Sequence, residues 1–227
     1  MITRRSFIAL SSLFVLPTVD FAASTAGASE RATEPPKVLL VPLGNAISDA
    51  DVAFVKACLL AFYDFELIDG QRFAMPKSAY YAPRKRHRAE KLLEYLDELA
   101  PKSMARIVGI TATDISTTKG SIHDFGILGL ATIDGRACVL SSFRCAKGTR
   151  THEQALQRFG KVAVHEIGHT LGLEHCPNVG CLMEDARGSV FTTDREYDLC
   201  ADCRTRLESS GRAARRNPKI PWPKPKN

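Results

Sequence analysis

Three histidines and a glutamate stand at fixed intervals in His165-Glu166-Ile167-Gly168-His169-Thr170-Leu171-Gly172-Leu173-Glu174-His175, which reads HExxHxxGxxH. On an α-helix, at about 100° per residue, His165 and His169 fall about 40° apart, so both imidazoles can reach one ion at about 2.0–2.1 Å. Glu166 then lies beside the metal and outside its ligand set. Gly172 permits a positive-φ residue that ends the helix and swings the chain back, so that His175 supplies a third nitrogen. Three protein ligands leave a fourth position open for a water whose proton Glu166 can take as general base, the chemistry of amide hydrolysis. A purely structural zinc site has no use for either Glu166 or an open position.

A second constellation follows at once. Cys176 and Cys181, with Met183 two residues on, are separated by a connector from Cys200 and Cys203, giving CPNVGCLM…CADC. Two cysteine pairs with short internal loops have the spacing of a tetrahedral four-thiolate zinc site, and two disulfides are the alternative for exported cysteines. The total of seven cysteines is odd and sparse, which excludes a fully paired framework within one chain.

HExxHxxGxxH running into CxxxxCxM and ending in CxxC resembles the archaemetzincins, a family of metzincin-type zinc peptidases. The likeness is strong over His165 to Cys203 and extends to the hairpin stretches 125–131 and 139–144. It implies a twisted mixed α/β sheet with N-terminal helices, an active-site helix and a small C-terminal lobe pinned by zinc. It further implies two Zn²⁺ per chain: a catalytic one on His165, His169 and His175, and a structural one on Cys176, Cys181, Cys200 and Cys203. Glu166 would be the base and Met183 the floor beneath the imidazoles. Some metzincins place a zinc-binding Tyr two residues after that Met; here it is Asp185, so no fifth ligand is carried over. Peptides or proteins are the implied substrates.

The elements that must position these groups are readable from periodicity. Val38 to Leu43 and Arg106 to Ala112 are apolar runs typical of buried strands, and Phe65 to Ile68 reads as another. Ser48 can cap a helix reaching Tyr63, and a second helix fits Arg88 to Leu99. A polar loop precedes two strands, Phe125 to Ile133 and Arg136 to Phe143, turning at Asp134-Gly135. The first of them is the expected edge strand above the cleft, where a peptide would be aligned by strand addition. Glu153 to Leu171 is the longest helical segment.

The ends of the chain carry the charge. Residues 1–28 have the layout of a signal peptide: Arg4 and Arg5, an apolar stretch too short to span a bilayer, and a plausible cut after Ala28. Arg4-Arg5-Ser6-Phe7-Ile8 resembles a twin-arginine export signal, which implies folding before export, with the clustered thiolates already occupied by zinc, and points to a bacterial periplasm. Residues 29–211 form the catalytic domain. Residues 212–227, with six basic residues, no acid and four prolines, read as an unpacked tail. The net charge of +6 belongs to these ends, since residues 29–211 hold 23 basic against 24 acidic side chains. The rival reading is a catalytically inactive, zinc-stabilised module that binds nucleic acid or anionic polymers through the tail, and the intact His-Glu-His-Gly-His set argues against it.

Other candidates are weaker. His87, His123 and His152 lack companions at ligand spacing. Cys58 and Cys138 read as buried small hydrophobes, and Cys138 and Cys145 lie on opposite strand faces. The run Arg84-Lys85-Arg86-His87-Arg88 reads as a loop extending into water.

Overall fold

The computed structural model describes residues 34–211, 214–215 and 217–225. The expected signal sequence lies outside them. Its strands and helices run β1 (Lys37–Pro42), α1 (Asp49–Phe62), β2 (Glu66–Asp69), β3 (Tyr80–Tyr81), β4 (Arg86–Arg88), α2 (Ala89–Leu99), β5 (Arg106–Thr111), β6 (Ile115–Lys119), β7 (Ile122–Ile127), β8 (Gly129–Ala131), β9 (Ala137–Ser141), α3 (His152–Thr170) and α4 (Ala201–Ser209). The fold is the mixed α/β architecture expected.

The main sheet has the order β2-β1-β5-β9-β8, parallel except for β8, which pairs antiparallel with β9 at the edge. Alternation along its strands feeds two cores. Val38, Leu40, Val108, Ile110, Cys138 and Leu140 pack with α1 and α3, while Val41, Ile107, Ala137 and Val139 pack with α2. With both faces covered, the strands are apolar at successive positions, which is why they read as runs. A Cβ at Gly109 would lie 2.6 Å from Leu96 Cδ1, so glycine lets α2 approach β5 closely.

The helices begin as their sequences dictate. The Ser48 hydroxyl accepts from the Asp51 N–H at 3.1 Å and Thr151 caps α3 by accepting from the Gln154 N–H at 3.2 Å. From Phe159 to Thr170 every residue of α3 except the half-buried His165 is buried, so the helix carrying the motif runs through the larger core.

Four expectations change. The stretch expected as a polar loop forms β6 and the start of β7, which pair antiparallel in a second sheet ordered β3-β4-β6-β7. β-branched Ile115, Thr117 and Thr118 suit a half-exposed strand whose polarity hides it from an apolar pattern. The single strand expected over Phe125 to Ile133 is divided at Leu128, with β7 in the second sheet and β8 in the first.

The basic run at 84–88 does not extend into water as a whole. Arg86 bonds Asp114 and Asp124, each at 2.7 Å, and buried Arg88 pairs with Glu90 and donates to Thr118 Oγ1 at 2.7 Å. The described part of 212–227 packs on the body: buried Trp222 stacks on Phe62 at 5.4 Å and donates through Nε1 to the Tyr197 carbonyl at 2.9 Å. Arg215 binds the Tyr63 carbonyl at 3.2 Å and the Asp64 carboxylate at 3.3 Å. One tryptophan among prolines makes no periodic pattern, yet it buries more area than most side chains.

Candidate metal centre and active site

The C-terminus of α3 creates the site. Gly172 has φ +85°, the Leu173 N–H bonds the Gly168 carbonyl at 3.0 Å and the Gly172 N–H bonds the His169 carbonyl at 2.9 Å. These are the two bonds of a Schellman stop, which turns the chain so that His175 faces the helix. The three imidazole centroids then lie 4.6, 4.9 and 5.4 Å apart.

Two of the rings are locked in orientation and tautomer. His165 Nδ1 lies 2.7 Å from the Leu182 carbonyl and His169 Nδ1 lies 2.7 Å from the Leu173 carbonyl. A carbonyl only accepts, so each Nδ1 carries the proton and each Nε2 a lone pair. Those Nε2 atoms are 3.0 Å apart. Two facing lone pairs at this distance need a cation, and nitrogens on tetrahedral zinc with bonds of about 2.05 Å stand about 3.3 Å apart. Burial, with His169 beside it, pushes His165 down to about 3, and burial also lowers His169, so both rings stay neutral and able to ligate.

Glu166 is 7% exposed and lines the same cleft as the histidines, a cavity of about 760 Å³ walled by β7, β8 and the segment 184–196. Burial pushes its carboxyl up to about 8. A Cβ at Gly129 of β8 would lie 2.5 Å from Glu166 Oε1, so the carboxyl occupies space that only glycine leaves free. Met183 is fully buried with its sulfur against α3, where a Cβ at Gly168 would lie 2.4 Å from Sδ. Its neighbour Leu182 supplies the carbonyl that fixes His165.

The four cysteines also converge, with all their sulfurs within 4.8 Å of one another. Cys176 and Cys200, and Cys181 and Cys203, are 3.7 Å apart. Disulfide sulfurs sit about 2.05 Å apart, whereas sulfurs on tetrahedral zinc with bonds of about 2.3 Å stand about 3.8 Å apart. Backbone N–H groups of Asn178, Met183 and Cys200 point at the sulfurs at 3.5, 3.5 and 3.4 Å, stabilising thiolate. The Cys181 thiol is drawn down to about 5, chiefly by its hydrogen bond with Cys203. Glu184 braces this lobe, accepting from the Gly180 N–H at 2.9 Å and pairing with Arg195.

These two groups are the metal-ligand clusters found among the described residues, and both donor sets fit zinc. His87, His123 and His152 join neither, and Cys58, Cys138 and Cys145 are buried free thiols. Sequence reasoning placed the stretch holding Gly129 above the cleft but missed the rest of its wall: Arg144, Val162, Val190 and Glu196 carry no motif, and only the fold brings them to the histidines.

The model of peptidase family M54 matches residues 66–209. The archaemetzincin of Halobacterium salinarum is 29% identical over 175 residues, covering 74% of this chain and 96% of that protein. That of Archaeoglobus fulgidus is 32% identical over 148 residues, 63% of this chain and 84% of that protein. Among solved structures, archaemetzincin from Methanopyrus kandleri is similar at TM-score 0.67 and 26% identity over 79% of this chain and 97% of its own. The Archaeoglobus fulgidus structure, complexed with malonate, gives 0.64 and 29% over 75% and 99%. With a family match that spans the histidine motif and all four clustered cysteines, the chain belongs to peptidase family M54, the archaemetzincins, and is a zinc metallopeptidase.

Proposed function

We propose that the protein hydrolyses peptide bonds with His165, His169 and His175 holding the catalytic zinc and Glu166 as general base, while Cys176, Cys181, Cys200 and Cys203 hold a second, structural zinc. The observation that carries this reading is the facing pair of Nε2 lone pairs beside a buried carboxyl in one cleft. Bound zinc would supply Lewis acidity toward the scissile carbonyl and toward water. Glu166 takes the proton of the attacking water and passes it to the leaving amine, and its burial raises proton affinity toward the neutral range where both steps proceed. Leu182 and Leu173 hold two imidazoles in the ligating tautomer. Met183 is the floor beneath them. The free edge of β8 offers backbone groups to an extended peptide, which would lie across the cleft as an added strand.

The four thiolates also suit a chain exported already folded, as Arg4-Arg5-Ser6-Phe7-Ile8 suggests. None of the described helices is long and apolar enough to cross a membrane. Native mass spectrometry with metal analysis tests the metal assignment. Two zinc ions per chain are expected, falling to one in Cys200→Ser and one in His169→Ala. One zinc together with a mass lower by four hydrogens at the clustered cysteines would overturn it.

A further inference from the structure

The cleft contains a buried carboxyl that hydrolysis does not use. Among the acids lining it, Glu184 is held by Arg195 and Gly180, and the Asp185 carboxylate accepts from the Arg187 N–H at 2.8 Å. Glu196 differs. It is 3% exposed, lines the cleft, and has no hydrogen bond or ion pair to any described residue. Lys161, the cation that acts on it most strongly, instead donates to the Thr193 carbonyl at 2.7 Å.

Burial pushes Glu196 up to about 8, and the attraction of Lys161 and Arg195 offsets only part of that. Retaining such a group in a cleft wall is unfavourable for folding, and unfavourable groups in clefts are where function is found. The cleft's own cations do not reach it. Lys119, Lys147 and Arg187 are exposed, where solvent screens them, and Arg144 is tied to Asp114 at 2.7 Å. The same cleft is also lined by the apolar side chains of Val162 and Val190.

A cleft with apolar side chains and one buried carboxyl that makes no hydrogen bond complements a side chain with an aliphatic stem and a cationic end. We propose that Glu196 determines specificity, receiving the cationic end of a lysine or arginine of the peptide substrate while its stem packs on Val162 and Val190. An aspartate or glutamate at that subsite would meet like charge. This inference rests on the peptidase reading, and its test is chosen to separate the two.

Peptide hydroxamates carrying arginine or its neutral isostere citrulline, scanned along the sequence, would be titrated by calorimetry into the zinc-loaded protein. Binding requires no turnover, so a preference is readable even if no peptide is cleaved, and hydrolysis of the matching peptides reports the peptidase reading separately. At one position the wild type should bind arginine about 10- to 100-fold more tightly than citrulline, as expected of a charged hydrogen bond in a desolvated pocket. Glu196→Gln should abolish that preference and leave affinity for the citrulline peptide unchanged. Equal affinity for the two at every position in the wild type would overturn the proposal, whether or not the variant folds. An equal loss for both ligands in Glu196→Gln would also overturn it, by showing a merely structural role.

Discussion

Gly129→Ala tests whether the placement of Glu166 matters without altering any group that reacts. The new Cβ would stand 2.5 Å from Glu166 Oε1, 2.6 Å from Cγ and 2.7 Å from Cδ. Carbon and oxygen pack at about 3.5 Å, so the carboxyl must retreat by about 1 Å. A misplacement of that size costs about 10²-fold in rate when the group must meet a reacting atom. The strand itself should tolerate the change, because alanine is less costly than glycine in a strand by about 0.5–1 kcal/mol. Peptide hydrolysis, zinc content and thermal melting should be measured together. Turnover should fall about 10²-fold, with zinc content unchanged and the melting temperature close to wild type. Turnover within threefold of wild type in a folded, zinc-loaded variant would refute the reasoning, because Glu166 would then need no fixed position.

Trp222→Ala should destabilise the protein by about 3–5 kcal/mol, as truncation of a fully buried aromatic does, lowering the melting temperature by about 10 °C; no change would mean that the C-terminal segment is the unpacked tail its composition suggests. Glu196→Gln should alter the pH dependence of stability. Because burial raises the Glu196 carboxyl from 4.5 to about 8, its contribution is fully present below about pH 4.5 and is lost as pH rises toward 8, whereas glutamine does not titrate. The melting temperature of the variant relative to wild type should therefore rise between pH 5 and pH 8, and a constant difference would contradict the assigned burial effect.

Most of what positions the metal ligands was legible in the sequence, because it is local. His165 and His169 share one helix face, and Gly172 is the left-handed residue that the turn to His175 requires. Each cysteine pair is close in sequence, and their convergence was implied by that spacing together with the family resemblance. Strands buried on both faces were legible as apolar runs, while β6 was not, because its Ser-Thr-Thr-Lys sequence is as polar as a loop. The division of the Phe125 to Ile133 stretch at Leu128 leaves no local signal, since it depends on which sheet each half finds to pair with. The basic run was misread for the same reason: Asp114 and Asp124, which satisfy Arg86, are 28 and 38 residues away in the chain. Glu196 was invisible, being one acid among many until the fold buried it beside the cleft.

If Glu166 moves the proton while the histidines alone hold the catalytic metal, Glu166→Ala separates the two roles, with zinc content and peptide hydrolysis measured on the same preparation. Zinc content should equal that of wild type and turnover should fall by at least about 10²-fold, the contribution of a positioned general base. A variant that keeps its zinc and hydrolyses peptides at the wild-type rate would contradict that role for Glu166.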